Sequence, residues 1–507
     1  MNTSADNKRI AKNTIFLYIR MLMVMLVTLY TSRVVLDILG IVDFGIYNVV
    51  GGIVGMLGFL SSTMSYVVQR FLSFEMGKGN FTGVNRVFNI SILVHVVLAI
   101  IVVIIMEFAG VWYLNTYINV PAGRLASTHW VLQFSILSTF FTILQIPFNG
   151  LIIAKEDMGV FAYISIIEVL LRLLLCYLLF AGAYDKLILY SGLMSAVTIT
   201  ISLIYTIYSK THYSETKFNK TKDFGLLKKM AKYASWNLLG EVSWVFNTQA
   251  VNIVLNLFFG PVVNAAGAIS TQVNNAVMKF VTNFQLAVNP QIIKTYAAQE
   301  YKQTKRLLFN SIRLSFYLMF ALSLPLIVEM DFVLGLWLKK VPEYTTTFCQ
   351  LTLICSLISS ISSPLSQIVR ANGNIRNYQI CISTLASSCF PLSFLALHCG
   401  ASPYYTIIIN IFLTIILIYV RLYYAKKYIV FSYKEYFITV LMPVCKVILG
   451  AVVLSVIFKY LIIRQYPVIS LCMSLFSTCI VTYLLGINCR EQMYIILYFK
   501  KIIKNEY

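Results

Sequence analysis

The sequence predicts an all-α polytopic membrane protein of about 14 transmembrane helices, arranged as two pseudo-symmetric six-helix lobes around a central cavity plus two C-terminal helices. Three observations predict it. Of 507 residues, 59% are hydrophobic and 12% charged, with a mean hydropathy of +0.80, too apolar for a chain whose main solvent is water. Apolar runs of about 20 residues, the length needed to cross a bilayer, recur along the whole chain. The basic residues fall between these runs in an alternating pattern.

The runs lie near 14–35, 44–68, 87–108, 128–152, 159–182, 187–209, 233–258, 262–288, 307–330, 346–369, 378–398, 403–420, 437–458 and 466–486; they are numbered spans 1 to 14. Lys and Arg test this register, because loops on the cytoplasmic side are enriched in both. Of the 40 basic residues, 28 fall in the tails and even-numbered loops and 6 in the odd-numbered loops. A miscounted helix would have scrambled that alternation, so a multi-pass protein with both termini cytoplasmic is expected. Lys8, Arg9 and Lys12 precede the first long apolar run, which reads as a retained helix and not a cleaved leader. The net charge of +21 then belongs to topology and to anionic lipid, not to nucleic acid. Ten scattered Cys without a C-x-x-C pair read as small hydrophobes, and four isolated His give no metal motif.

An internal repeat supports two lobes. At an offset of 220 positions Lys12 falls on Lys232, Gly40 on Gly260 and Arg86 on Arg306, and PFNGLIIAKEDM from Pro147 is similar to PLSQIVRANGNI from Pro364, with Ala154 on Ala371. Each match is weak, but they sit at corresponding points of corresponding spans. The expected organisation is an N-terminal lobe over 1–210, a basic cytoplasmic linker over 211–232, a C-terminal lobe over 233–424, helices 13 and 14 over 425–486, and a basic tail over 487–507. No loop is large enough for an enzyme domain.

Polar residues inside spans point to function, because they are costly in lipid. Span 1 carries Asn13, Arg20, Thr28 and Thr31 on one broken stripe; Arg20 either faces a wet cavity or snorkels to the headgroups. Span 2 lines up Gly51, Gly55, Gly58, Ser62, Ser65 and Gln69, a small-residue face suited to close helix packing. Span 7 aligns Asn237, Glu241, Trp244, Thr248 and Asn252, and span 8 aligns Thr271, Asn275, Lys279, Thr282, Gln285 and Asn289. Glu168 and Arg172 in span 5 stand four apart and can pair, either structurally or in ion coupling. Arg20, Lys279, Asn275, Asn237 and Thr28 are therefore the candidate substrate-binding residues, and Glu168, Arg172 and Glu241 the candidates for ion coupling. A cleft containing Arg20 and Lys279 suits an anionic group such as a pyrophosphate.

At LDILGIVDFGIYNVVGGIVG from Leu36, VVQRFLSFEMGKGN from Val67, LQIPFNGLIIAKEDMGVFAY from Leu144 and FGPVVNAAGAISTQVNNAV from Phe259, the chain resembles Wzx-type polysaccharide transporters. These are the lipid-linked oligosaccharide flippases of the multidrug/oligosaccharidyl-lipid/polysaccharide (MOP) exporter superfamily. The L-G-x-x-x-F-G-x-Y pattern at Leu39 to Tyr47 and the segment from Ile152 to Met158 carry most of the resemblance. It implies a V-shaped cavity and alternating access, moving an undecaprenyl-pyrophosphate-linked glycan to the periplasmic leaflet of a bacterial inner membrane for O-antigen, capsule or exopolysaccharide. It implies no catalytic residue, metal or cofactor, and leaves coupling to an H+ or Na+ gradient open. The partners it implies are membrane lipids, the glycolipid and other polysaccharide assembly proteins, with a monomer compatible. Met21 stands where lipid II flippases carry an acid after the early Arg, and span 1 lacks the acid common in bacterial multidrug antiporters. The competing readings are a MATE-like drug or cation antiporter, and a membrane-embedded polymerase or glycosyltransferase.

Overall fold

A computed structural model of the full chain describes residues 3–55, 58–117, 123–180, 185–219, 223–338, 341–459 and 466–487. Regular structure among them is helical, with no strand. The basic tail expected over 487–507 lies outside the described residues except for Ile487. Among the described residues, eleven helices are long and apolar enough to cross a membrane, or twelve if Thr345–Ser360 and Leu365–Asn372, bent by 50°, form one broken span. Two expected spans are missing from that set, 44–68 and 262–288, although both lie on helices. The first runs across residues 56–57, which lie outside the described residues, and the second is too rich in Asn, Gln and Thr to qualify on apolarity. A membrane helix of that composition is stable only where its polar face meets protein or water.

The helices that position the site are α1 (Thr3–Gly55), α2 (Gly58–Gly77), α3 (Phe81–Ile105), α4 (Leu125–Lys155), α5 (Met158–Phe180), α6 (Lys186–His212), α7 (Phe224–Phe259), α8 (Pro261–Ala297) and α9 (Tyr301–Val328). Helix α1 is broken at Gly40, whose φ of 74° and ψ of 171° leave the helical region. Gly260, between α7 and α8, has a φ of 75°. Only glycine adopts such angles without strain, so the two glycines matched by the repeat perform the same turn. Further pairs follow the repeat: Gly79 (φ 69°) and Gln299 (φ 62°) at the offset of 220, and Glu156 (φ 64°) and Gly373 (φ 90°) in the register that sets Pro147 on Pro364.

The chain divides into two compact units. One comprises Met1–Glu241 with Leu286–Gln299, the other Val242–Gln285 with Glu300–Tyr507. The division cuts through α7 and α8, so the first part of α7 and the last part of α8 pack with the N-terminal helices. In the first unit, Val50, Ala99, Val131, Leu132, Ile143 and Leu187 form one core, and Val35, Leu175, Leu179 and Tyr190 another. In the second, Phe316, Tyr317 and Phe320 of α9 pack with Val444, Val447, Ala451 and Val481. The Tyr317 hydroxyl donates to the Gly486 carbonyl at 3.0 Å. Helices Tyr433–Ile457 and Pro467–Gly486 thus belong to the core of that unit and are not a loose appendage.

Candidate functional site

At the lysine-rich end of the first unit, α4 ends at Glu156, a left-handed cap residue with φ 64°. Glycine is the usual occupant of such a position, and the repeat-equivalent residue is Gly373. The glutamate is explained by what its groups hold. Its carboxylate accepts from Lys294 Nζ at 2.5 Å and Gln291 Nε2 at 2.6 Å, both on α8, and its carbonyl accepts from Asn13 Nδ2 of α1 at 2.9 Å. The Glu156 side chain is 0% exposed. Three helices therefore meet at one residue. A Cβ on Gly77 would collide with the Lys294 carbonyl, so the end of α2 also closes directly on α8.

The basic segment beyond α6 docks on this same end. Lys155 pairs with Glu215, Tyr213 Oη donates to Asp157 at 3.1 Å, and Asn85 Nδ2 donates to the carbonyls of Glu215 (2.7 Å) and Lys217 (2.8 Å). Burial and the neighbouring Asp157 push the Tyr213 hydroxyl well above its ordinary range. Asp223 caps α7 through the Leu226 amide at 2.9 Å and meets Arg86 at 3.3 Å. The Leu226 bond first, then Arg86, holds its carboxyl below the usual range. Nearby Arg70, 5% exposed, lies over Phe71, Phe74 and Tyr233 with its guanidinium carbon 4.6, 4.7 and 5.2 Å from their ring centroids, an arrangement favourable to a delocalised cation.

At the opposite end of this unit Arg124 bridges Asp43 and Asp185, each at 2.6 Å, and Ser127 Oγ donates to Asp185 at 2.8 Å. Burial pushes the Asp43 carboxyl up, against Arg124. At Asp185 burial acts in the same direction but is outweighed by Ser127, the Leu187 amide and Arg124, which hold that carboxyl below the usual range.

Within the helices of the first unit, Arg20, Glu168 and Arg172 come together. The Arg20 guanidinium carbon lies 4.4 Å from the Phe161 ring centroid, and its Nε is buried without a hydrogen-bond partner. Arg172 pairs with Glu168 at 2.6 Å, and Glu168 and Tyr205 are the groups that act electrostatically on Arg20. Two cations and one anion give this cluster a net positive charge. Thr28 is exposed. Asn237 is buried and turned back on its own helix, donating to the Tyr233 carbonyl at 3.0 Å, and Glu241 is half-buried.

In the second unit α8 presents Thr271, Asn275, Lys279 and Thr282 as exposed residues, one stripe at helical spacing. Gln285 turns inward and donates to Ser315 at 3.2 Å. Arg20 and Lys279 thus belong to different units. Sequence reasoning missed Glu156, Lys294 and Arg70. One signal for Glu156 was available: an acidic residue aligned by the repeat with a glycine.

Residues 17–178 match the MatE family model. No curated protein matches the chain. The fold is that of MATE transporters. A crystal structure of a MATE point mutant is similar with a TM-score of 0.73 at 12% identity, covering 83% of this chain and 97% of that one. An outward-facing multidrug resistance MATE family transporter of the MOP superfamily gives 0.69 at 12% identity, over 83% and 96%. A MOP superfamily transporter from Pyrococcus furiosus, described as having a binding pocket of reversed polarity that suggests a different function, gives 0.66 at 11% identity, over 83% and 95%.

Proposed function

We propose that this chain is a MATE-fold secondary transporter, not an enzyme, and that it carries an anionic amphiphile by alternating access. The substrate is an undecaprenyl-pyrophosphate-linked oligosaccharide, flipped from the cytoplasmic to the periplasmic leaflet of the inner membrane, with both chain termini cytoplasmic. The supporting observation is the sign of the cluster in the first unit. Glu168 is already paired with Arg172, so Arg20 adds a positive charge with a buried, unpartnered Nε. A buried cation without full compensation is costly, and an anion supplied by the substrate would relieve that cost. In the second unit, exposed Lys279 and Asn275 on α8 form a separate cationic, hydrogen-bonding surface of the kind an anionic substrate selects. An H+ or Na+ gradient would supply the energy, with Glu168, Arg172 and Glu241 as its points of entry.

The second reading is a MATE-like drug or cation antiporter. It is favoured by the MatE match and by the similar structure described as a multidrug resistance MATE family transporter, and these comparisons lie nearer to it than to the polysaccharide branch. The fold alone does not choose, since a Pyrococcus furiosus transporter of similar fold is described as having reversed pocket polarity. Deleting the protein in its source cell separates the two. Loss of surface polymer with accumulation of the lipid-linked precursor is the expected result. Unchanged polymer together with increased sensitivity to cationic dyes would overturn the flippase reading.

A further inference from the structure

In the second unit, the last turns of α7 and the start of α8 enclose an open groove of 460 Å3, within the size range of small-molecule sites, roughly 300–1,000 Å3. Gln249, Asn252, Ile253, Asn256 and Leu257 line it from α7, and Asn264 from α8. Spacings of three and four residues put Gln249, Asn252 and Asn256 on one helix face. The turn at Gly260 brings Asn264 in beside them; the Gly260 amide donates to the Asn256 carbonyl at 2.8 Å. The side-chain amides of Gln249, Asn252 and Asn256 bond to nothing among the described residues, and Oδ1 of Asn264 is buried without a partner.

The chemistry of this lining is narrow. Four unpaired amides in a row cannot face acyl chains, because hydrocarbon satisfies none of them. None of the six lining residues is charged, so the groove supplies neither the Arg or Lys that a phosphate selects nor the carboxylate that a cation selects. An amide both donates and accepts, and so does a hydroxyl. Ile253 and Leu257, 61% and 74% exposed, add apolar surface for the C–H faces of a ring. We infer that this groove binds neutral sugar units, the glycan portion of the amphiphile; the inference rests on the transport reading above and separates glycan recognition from recognition of the anionic carrier.

The test uses the full chain in lipid nanodiscs with three probes: undecaprenyl pyrophosphate, the same carrier with its neutral oligosaccharide, and that oligosaccharide released by mild acid. Wild type should bind the glycolipid more tightly than the bare carrier, and bind the released oligosaccharide alone. The Asn252→Ala, Asn256→Ala double variant should lose about tenfold in affinity for both glycan-bearing probes, the expectation for two neutral hydrogen bonds, with bare-carrier binding unchanged. Asn252→Gln, Asn256→Gln, which keeps the amides, should restore part of the loss. Oligosaccharide affinity equal in wild type and the alanine variant, or no binding of released oligosaccharide by wild type, would overturn the inference and leave the carrier reading standing. Oligosaccharide binding that depends on Asn252 and Asn256, with no binding of bare carrier, would support the groove and count against the pyrophosphate assignment.

Discussion

Removing the ammonium of Lys294 is expected to be far more damaging than removing the Glu156 charge that it faces. The Glu156 side chain is wholly enclosed, and that of Lys294 is 14% exposed. At 2.5 Å and an effective dielectric constant of ~20, their attraction is about 7 kcal/mol. Taking the two ions out of water costs several kcal/mol for each, so the intact pair adds little net stability. Breaking it is a different matter. Lys294→Met takes the ammonium at 2.5 Å away from an enclosed carboxylate, at a cost of up to about 3–5 kcal/mol, whereas in Glu156→Gln the lysine retains a path to solvent and the amide can still bond Gln291. The double variant should recover part of the Lys294→Met loss, giving a coupling of about 1–3 kcal/mol. Glu156→Gly isolates the backbone: it relieves about 1–2 kcal/mol of left-handed strain but removes the carboxylate that Lys294 and Gln291 share, so it too should destabilise. The assay is a double-mutant cycle on apparent thermal unfolding in nanodiscs. Strictly additive losses, or a Lys294→Met protein as stable as wild type, would show that water reaches this carboxylate and that the anchor is not what holds α4, α1 and α8 together.

Asp185 contributes stability that is fully present above the ordinary carboxylate value of about 3.9 and is lost as pH falls through its lower folded value. The gap in apparent Tm between wild type and Asp185→Asn should therefore close below about pH 4, and a gap that widens there would contradict the Arg124 bridge. Arg20→Ala and Lys279→Ala should each cut glycolipid transport about tenfold or more, and Arg20→Lys should keep part of it because charge survives while the planar guanidinium does not; normal transport by a folded double alanine variant would remove both from the substrate path. Cysteines in Thr28→Cys and Asn275→Cys, at two exposed positions, should react with a membrane-impermeant thiol reagent in nanodiscs, and inertness of both while loop controls react would mean that these faces meet lipid. A reporter fused after Tyr507 should be active only in the cytoplasm; periplasmic activity would reverse the proposed orientation.

Hydropathy and loop charge made the helices legible, and the repeat found its structural counterpart in backbone angles: Gly40 and Gly260 turn with φ of 74° and 75°. Both are properties that one residue carries alone, which is why a single sequence can show them. The Glu168 and Arg172 pair was equally readable, because four residues on a helix fix a distance. Lys294 and Glu156 lie 138 residues apart, and no local spacing joins them; only the packing of α8 against the end of α4 does. The same limit applies to Arg70, whose three ring partners include Tyr233 from a distant helix. It also explains why the segment from Ile152 to Met158 was legible as a family resemblance but not as a device. Lys155, Glu156 and Asp157 each hold a different element, Glu215, Lys294 and Tyr213 respectively. Three adjacent residues with three separate long-range partners produce no periodicity. What they leave in the sequence is an acidic residue at a left-handed cap, where the other half of the repeat carries glycine.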